Sequence, residues 1–204
     1  MIVLVNYGLG NIRAFENIYK RLNIPVRVAN NADELADAEK IILPGVGAFD
    51  GAMSMLQASG MRECLDDLVI NKRRPVLGIC VGMQMMAMRS DEGAMPGLGW
   101  IKADVRKFND TSSSQKNFLL PHMGWNDVYP ANKTTLFKDI ETPCFYFLHS
   151  YYSVPDDDEN VLAKTDYNGN FASAVQAGHI FGVQFHPEKS HKWGMQLLKN
   201  FNEL

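Results

Sequence analysis

The sequence has few cysteines, and their spacing argues against two kinds of structural site. Its 204 residues include three, Cys64, Cys80 and Cys144. An odd number with no Cys-x-x-Cys pair speaks against a disulfide framework and against a zinc site. We therefore expect no metal ion, and a reduced thiol is available for chemistry.

The sequence also lacks an excess of charge of one sign and any long apolar run. Lys and Arg number 20 against 23 Asp and Glu, which gives a formal net charge of -3. No surface for nucleic acid is predicted, so small-molecule or protein partners are expected. No apolar run approaches the roughly 18 residues of a membrane span. Residues 1–5 are too short for a signal peptide and follow no basic segment, so we expect a cytoplasmic protein.

Length and composition are those of an ordinary globular chain. Hydrophobic residues make up 46% of the sequence and charged residues 21%. A chain of this length buries roughly 70% of the surface that its unfolded form exposes, which is enough for one substantial core. We predict a single domain over residues 1–204.

In the first part of the chain, short apolar strands alternate with amphipathic helices. Strands are predicted at residues 2–6, 26–29, 40–43 and 75–79, and helices at residues 12–22, 51–56 and 61–71. This alternation predicts an α/β fold with a mostly parallel central sheet and helices on both faces.

From about residue 100 the pattern changes to strands. They are predicted at residues 100–108, 145–148, 161–165, 172–176 and 179–185, with a last helix over residues 191–204. An antiparallel extension of the central sheet is expected from them. Residues 109–116 are predicted to form a surface loop.

One block predicts a reactive cysteine. Gly78-Ile79-Cys80-Val81-Gly82 follows an apolar strand and leads into helix-like residues. This is the layout of a nucleophile elbow, in which a sharp strand-to-helix turn exposes the reactive atom. Side chains at the two glycines would crowd that turn. The alternative for an isolated Gly-x-Cys-x-Gly is a small buried residue at a tight turn.

A second, distant block supplies the base that a thiol nucleophile needs. His186-Pro187-Glu188 follows a predicted strand, and the proline stiffens the turn that brings the acid within reach of the imidazole. Glu188 would then fix the tautomer and orientation of His186. Alone, His186 would more often be a core histidine and Glu188 a solvated acid. Together with Cys80 they predict a catalytic triad.

Two segments are candidates for binding the oxyanion that forms in acyl transfer. The backbone N–H of Val81 follows the predicted nucleophile, and the turn after the third strand can present the amides of Val46 and Gly47. One such donor is typically worth about 10²- to 10³-fold in rate. By itself, the turn would be a plain strand end.

A cofactor is not predicted. Gly8-x-Gly10 follows the first strand, but Arg13 stands where a dinucleotide fingerprint requires a third glycine. The helix after the elbow carries four methionines that are predicted core residues: Met83, Met85, Met86 and Met88.

These blocks resemble the class I (triad) glutamine amidotransferases over the whole chain, a family with a flavodoxin-like core. Within the family, the sequence is similar to the HisH-type glutaminase subunits of imidazole glycerol phosphate synthase. The likeness is carried by Asn6-Tyr7-Gly8-x-Gly10-Asn11, Pro44-Gly45-Val46-Gly47-Ala48-Phe49, Pro121-His122-Met123-Gly124-Trp125-Asn126, His149-Ser150-Tyr151 and His186-Pro187-Glu188-Lys189-Ser190.

The resemblance implies hydrolysis of the side-chain amide of glutamine. Cys80 would attack, His186 would protonate the departing ammonia, and water would release glutamate from a thioester. By matched position, five residues would hold the glutamine: Gly47, Gln84, Glu92, Ser150 and Tyr151. Val81 departs from the pattern, because leucine is commoner there in the family.

The resemblance also implies a heterodimer with a (β/α)8-barrel cyclase subunit (HisF-like). Ammonia would pass through the barrel to a nucleotide, giving imidazole glycerol phosphate and an aminoimidazole carboxamide ribonucleotide. Asn11, Trp125 and Lys189 would lie in the interface. Without the resemblance, Trp125 would equally be a half-buried loop anchor and Lys189 a solvated charge.

Three other functions stay open on the sequence. The same glutaminase chemistry could feed the amination of a surface-polysaccharide sugar. A stand-alone cysteine peptidase or γ-glutamyl hydrolase could use the same triad. A catalytically silent subunit could regulate its barrel partner, although the intact triad argues against it.

Overall fold

The first part of the chain alternates strands and helices. A computed structural model describes residues 1–108, 119–131 and 134–204. The elements up to the cysteine elbow are β1 (Ile2–Val5), α1 (Ile12–Arg21), β2 (Val26–Ala29), α2 (Ala32–Leu35), β3 (Lys40–Gly45), α3 (Phe49–Ala58), α4 (Arg62–Asp66), β4 (Val76–Cys80) and α5 (Val81–Met85). A π-helical turn, Asp67–Asn71, continues α4.

The second part is rich in strands. Its elements are β5 (Arg89–Ser90), β6 (Ala103–Lys107), β7 (His122–Asp127), β8 (Tyr129–Pro130), β9 (Cys144–His149), β10 (Tyr151–Pro155), β11 (Val161–Asp166), β12 (Asn170–Ala177), β13 (Ile180–Val183) and α6 (His191–Glu203). Short 3-10 turns lie at Thr135–Phe137, Asp158–Asn160 and Pro187–Lys189.

The central sheet is mixed, with a parallel half and an antiparallel half. Its strand order is β2-β1-β3-β4-β13-β12-β10-β6-β5, and β11 and β8 extend it from β12. The pairs from β2 to β13 are parallel, whereas β12 pairs antiparallel with β13 and with β10. A separate antiparallel pair is formed by β7 and β9. The predicted α/β fold with an antiparallel extension is confirmed.

The pairing of β4 with β13 brings the two predicted halves of the site together. The strands run parallel, with Gly182 beside Gly78 and Val183 beside Ile79. Parallel neighbours end at the same edge of a sheet, where open α/β sheets bind their ligands. Cys80 at the end of β4 and the segment that follows β13 therefore meet at one edge.

Burial of apolar side chains stabilises this sheet. Every residue of β1 is fully buried, as expected for a parallel strand covered on both faces. In α1, Phe15 and Tyr19 are buried as well. The Tyr19 hydroxyl donates to the carbonyl oxygen of Leu198 at 3.2 Å, so α1 and α6 are joined by a polar contact inside the apolar layer.

Some local predictions were wrong. The helix after the elbow ends at Met85, and Met88 is 50% exposed rather than part of the core, whereas Met83, Met85 and Met86 are buried. Strands β7 and β10 were not predicted. The predicted loop over residues 109–116 lies outside the described residues.

Candidate active site

Cys80 lies on a strained turn between β4 and α5. Its backbone has φ 55° and ψ -112°. A residue with a side chain in such a conformation costs of order 1–3 kcal/mol, and strain of this kind is concentrated at functional sites. The thiol is 3% exposed. Cys80 therefore has the backbone geometry expected of an elbow nucleophile.

The glycines around Cys80 are required by close packing of backbone on backbone. A Cβ atom on Gly82 would overlap the carbonyl oxygen of Leu43 in β3. A Cβ on Gly78 would lie 2.7 Å from the carbonyl oxygen of Gly82. The crowding predicted from the sequence is confirmed, and it holds the elbow against the end of β3.

His186 and Glu188 form a buried pair beside Cys80. Nδ1 of His186 lies 2.8 Å from Oε1 of Glu188, and each side chain is 3% exposed. Burial by itself lowers the pKa of His186, but hydrogen bonds to Cys80 and Glu188, together with their charges, outweigh it and raise that pKa to about 10. The contacts on its two sides therefore favour the protonated imidazole of His186.

Backbone contacts fix the turn that carries this pair. The backbone N–H of His186 donates to the carbonyl oxygen of Tyr146 in β9 at 2.8 Å. Ser190 donates from its hydroxyl to the carbonyl oxygen of His186 at 2.6 Å and accepts from the Tyr146 N–H at 3.0 Å. The imidazole is thus anchored to β9 as well as to its own turn.

An open cleft of about 350 Å³ lies over Cys80 and His186. The structure places all the residues expected to hold glutamine in its wall: Gly47, Gln84, Glu92, Ser150 and Tyr151. Val46 and Val81, the other candidates for the oxyanion site, line it too.

Two walls of the cleft can be traced to local backbone features. Gly45 pairs with Cys80 in the register of β3 and β4, so Val46 and Gly47 lead out of the sheet past the thiol. Gly47 has φ 87°, a conformation that favours glycine. Glu92 accepts from the backbone N–H of Phe49, the first residue of α3, at 2.9 Å.

Gln184 is a polar neighbour of the thiol that sequence reasoning missed. Its side chain is fully buried, and its Nε2 lies 3.8 Å from Sγ of Cys80. The Oε1 atom of Gln184 accepts from Nε2 of Gln84 at 3.0 Å. Nε2 of Gln84 also donates to the carbonyl oxygen of Tyr151 at 3.0 Å. A lone amide in an apolar strand end, between Val183 and Phe185, was the available signal.

Comparison with known proteins decides the family. A family model described as "Glutamine amidotransferase class-I" matches residues 3–203. The chain belongs to this family. Its full-length relatives include "Imidazole glycerol phosphate synthase subunit HisH" of Bdellovibrio bacteriovorus, 57% identical over 205 residues with 100% of both chains covered. A protein of the same name in Leptospira borgpetersenii is 48% identical, again with 100% of both chains covered. The resemblance stated from the sequence blocks is confirmed.

Solved structures share the fold of this class-I glutamine amidotransferase. One crystal structure, described as a glutamine amidotransferase, has a TM-score of 0.74 at 19% identity and covers 100% of this chain and 98% of that chain. PurLQS from Thermotoga maritima has a TM-score of 0.73 at 19% identity, with 99% and 97% covered. At such identities the likeness speaks for the fold alone.

The three predicted interface residues of this glutamine amidotransferase lie at the surface. Trp125 is 45% exposed and stacks on His191, with ring centroids 5.4 Å apart. Lys189 is exposed, lines the cleft, and lies over the ring of Tyr146 at 5.6 Å. Asn11 is exposed, and its side chain caps α1 by accepting from a backbone N–H.

The described residues provide neither a metal-binding cluster nor a membrane-spanning helix. Among them, no three His, Cys, Asp or Glu side chains are grouped so that they could hold a metal ion. No helix in the same part of the chain has the length and hydropathy needed to cross a membrane.

Proposed function

We propose that Cys80, His186 and Glu188 carry out the glutaminase reaction of an imidazole glycerol phosphate synthase. The observation that carries the proposal is that a strained elbow cysteine and the histidine of a buried His–Glu pair line one cleft. Membership of the class-I glutamine amidotransferases supplies the reaction type.

The chemistry follows from the charges of the free site. The Cys80 thiolate attacks the side-chain amide carbon of glutamine, and the His186 imidazolium gives its proton to the departing nitrogen as the C–N bond breaks. This leaves ammonia and a γ-glutamyl thioester. Water then attacks the thioester and gives a proton to His186. Breakage of the C–S bond restores the thiolate and the imidazolium and releases the product with a γ-carboxylic acid, which loses its proton to solvent and becomes glutamate.

We assign the oxyanion that forms in both steps to backbone donors around Cys80. The Val81 N–H stands at the start of α5, and the amides of Val46 and Gly47 pass the thiol on the β3 side. Such donors act at the atom where charge develops, which makes them effective in a site that excludes water.

The proposed glutamine site uses the remaining cleft residues. The Glu92 carboxylate would pair with the substrate α-amino group, because a fixed carboxylate is the natural partner of an ammonium. The Gln84 amide and the Ser150–Tyr151 backbone would bind the other polar groups of the substrate. We also propose that residues 1–204 form one domain, in line with the family match over residues 3–203.

The partner in this proposal is a cyclase subunit of (β/α)8-barrel type. The outer face of β7 and β9 supports a docked protein, because it exposes Met123, Trp125 and Leu148 at 64%, 45% and 38%. Met123 and Leu148 are cross-strand neighbours, and Leu148 also lines the cleft. A contiguous exposed apolar face is typical of an interaction site. A partner that covers it, together with Asn11 and Lys189, would receive the ammonia that glutamine releases beside Cys80.

The relatives favour histidine biosynthesis over the other pathways left open by the sequence. Those of Bdellovibrio bacteriovorus and Leptospira borgpetersenii carry the name of an imidazole glycerol phosphate synthase subunit. No observation favours amination of a surface sugar. We assign the protein to the cytoplasm, where its three free cysteines would stay reduced.

The first test is glutamate release from glutamine, by the isolated chain and by its complex with the cyclase from the same genome. Wild type in the liganded complex should be active. Cys80→Ala should lose at least about 10³-fold, because the nucleophile is gone. Cys144→Ala is the matched control, since Cys144 lies at the far end of β9, opposite Asp127. Equal activity of Cys80→Ala and wild type would contradict the proposal.

A second experiment tests the docking face separately from the chemistry. Met123→Asp places a charge on the apolar face without altering the cleft, so binding to the cyclase should weaken about tenfold or more. Tyr129→Asp is the control, because Tyr129 is 60% exposed but pairs with β11 in the main sheet. Titration calorimetry would measure both. Equal affinities would place the partner elsewhere.

A further inference from the structure

Two buried histidines face one another beside the cleft, outside the proposed triad. His122 in β7 and His149 in β9 are cross-strand partners, 3% and 6% exposed. Nδ1 of His122 lies 3.0 Å from Nε2 of His149. A buried contact between two imidazoles is stable only when one nitrogen donates and the other accepts.

The neighbours of the pair fix every proton in it. Nδ1 of His149 lies 2.8 Å from the carbonyl oxygen of Tyr151, which can only accept, so this nitrogen carries the proton. Nε2 of His149 is then the acceptor, and Nδ1 of His122 must donate to it. Nε2 of His122 is left to accept from the side-chain amide of Asn126 at 3.2 Å. Both rings are neutral Nδ1–H tautomers in this arrangement.

The surroundings favour uncharged rings. His122 is stacked between Phe147 and Tyr167, at centroid distances of 4.7 Å and 3.9 Å. Burial lowers the pKa of His122 to about 4. Burial also lowers the pKa of His149, to about 3, against the hydrogen bond to Tyr151 and with help from the charges of His122 and His186. A proton added to either ring would set two donors face to face.

The chain of hydrogen bonds ends on the substrate wall of the cleft. The Tyr151 carbonyl oxygen accepts from His149 on one side and from Nε2 of Gln84 on the other. Gln84 in turn contacts Gln184, which reaches Sγ of Cys80. His149 lines the cleft, yet both of its ring nitrogens are engaged within the protein. It therefore offers neither nitrogen to a substrate.

We infer that His122 and His149 are positioning residues, which hold the Tyr151 carbonyl and Gln84 in place for glutamine through one fixed pattern of neutral tautomers. The inference rests on the proposed glutaminase function. It assigns to the pair an effect on glutamine binding, with little effect on the bond-breaking steps.

Nitrogen NMR of the wild-type chain tests the proton pattern without any activity measurement. Long-range ¹⁵N–¹H correlations distinguish the Nδ1–H tautomer, the Nε2–H tautomer and the imidazolium of each ring. At pH 7 both His122 and His149 should be Nδ1–H. Either ring found as Nε2–H or as imidazolium would overturn the inference, whatever the enzyme does.

Kinetics of the complex with the cyclase test the effect on substrate binding. His149→Phe removes both contacts and keeps a ring, so the KM for glutamine should rise about tenfold while kcat changes less than about threefold. His149→Asn sets an amide where Nδ1 stands and should restore most of the affinity through Tyr151. His149→Gln sets its amide where Nε2 stands and should not.

Phe171→Leu is the matched control for disturbed packing. Its ring packs on His149 at 5.2 Å and on His122 at 5.9 Å, but it takes no part in the hydrogen-bond chain. An unchanged KM in His149→Phe, an equal rise in Phe171→Leu, or equal behaviour of the Asn and Gln variants would overturn the inference. Wild type that releases no glutamate would instead refute the proposed function, while the NMR result would still decide the proton pattern.

Discussion

Gln84 and Gln184 meet side chain to side chain next to the nucleophile, with Nε2 of Gln84 donating to Oε1 of Gln184 at 3.0 Å. One residue comes from α5 and the other follows β13, so the contact ties the two halves of the site together. Both side chains are buried, which makes each of their hydrogen bonds costly to lose.

Removing this amide should impair catalysis. In Gln184→Leu, Gln84 loses one of its two acceptors and Cys80 loses a donor, so kcat/KM for glutamine should fall about tenfold. Gln176→Leu provides the control, because the Gln176 amide donates to the carbonyl oxygen of Gly178 at the protein surface. Steady-state glutamate release in the cyclase complex gives both values. If the two variants are equally active, the Gln84–Gln184 contact has no catalytic role.

Glu188→Gln should act on turnover and spare binding. The carboxylate holds Nδ1 of His186 at 2.8 Å and helps to raise the pKa of that imidazole, whereas a neutral amide cannot stabilise the imidazolium. Glu188 does not line the cleft, so KM should change little. We expect kcat to fall at least about tenfold.

The control for that change is Glu203→Gln, on the exposed end of α6, where the carboxylate lies 3.9 Å from Lys199. Pre-steady-state measurement of thioester formation would locate the loss. A variant with a large rise in KM and an unchanged kcat would mean that Glu188 contributes to binding glutamine.

Gly47 offers a test of the oxyanion site. In Gly47→Ala, the added Cβ atom would have no neighbour within 4 Å, but the φ of 87° at this position strains any residue that has a side chain. The backbone should rotate or tilt, and kcat should fall about 10- to 100-fold if its amide binds the oxyanion.

Gly60→Ala separates that loss from strain alone. Gly60 also has a positive φ, 71°, and open space around it, and it lies at the end of α3 away from the cleft. Both variants should lose about 1 kcal/mol of unfolding free energy, measured by urea denaturation. Only Gly47→Ala should lose activity, and a parallel loss in Gly60→Ala would remove Gly47 from the oxyanion site.

Acid should destabilise the fold through the two neutral histidines. Unfolded histidine has a pKa of about 6.5, whereas those of His122 and His149 in the folded chain are lowered to about 4 and about 3. Their contribution is therefore complete above pH 6.5 and is lost as the pH falls toward those values. For each histidine, the free energy of unfolding should fall by at most about 1.4 kcal/mol per pH unit.

Urea denaturation at a series of pH values measures this slope. His149→Phe should flatten it by the contribution of one proton, and Phe171→Leu should leave it unchanged while lowering stability at every pH. Among the described residues, His186 acts on His149 through its charge, and the titratable Tyr167 stacks on His122. A slope that is the same in wild type and His149→Phe would mean that His149 is not kept neutral by the fold.

Local signals explain what could be predicted from the sequence. The elbow is a run of five residues with two glycines, and the His–Glu pair spans three, so neither depends on distant register. The pairing of strands, in contrast, depends on residues that are far apart in the sequence. His122 and His149 meet only because β7 and β9 pair, and β7 was not predicted, since none of its more buried positions, His122, Gly124 and Asn126, carries an apolar side chain.

Burial of polar side chains was the second feature that could not be predicted from the sequence. Gln184 and His149 are polar residues at buried positions, and their roles follow from hydrogen bonds to α5 and β10. Met88 was assigned to the core because a longer helix was expected after the elbow. The chain leaves the helix at Met85, and the last methionine turns to the surface.

The backbone contact between β3 and the elbow has a consequence for redesign of the substrate range. A side chain on Gly82 would collide with Leu43, and one on Gly45 would collide with the backbone of Gly82. This backbone contact leaves no room for a side chain at either glycine. Engineering of the cleft therefore has to leave the elbow unchanged and replace lining side chains such as Gln84, Glu92 and Tyr151.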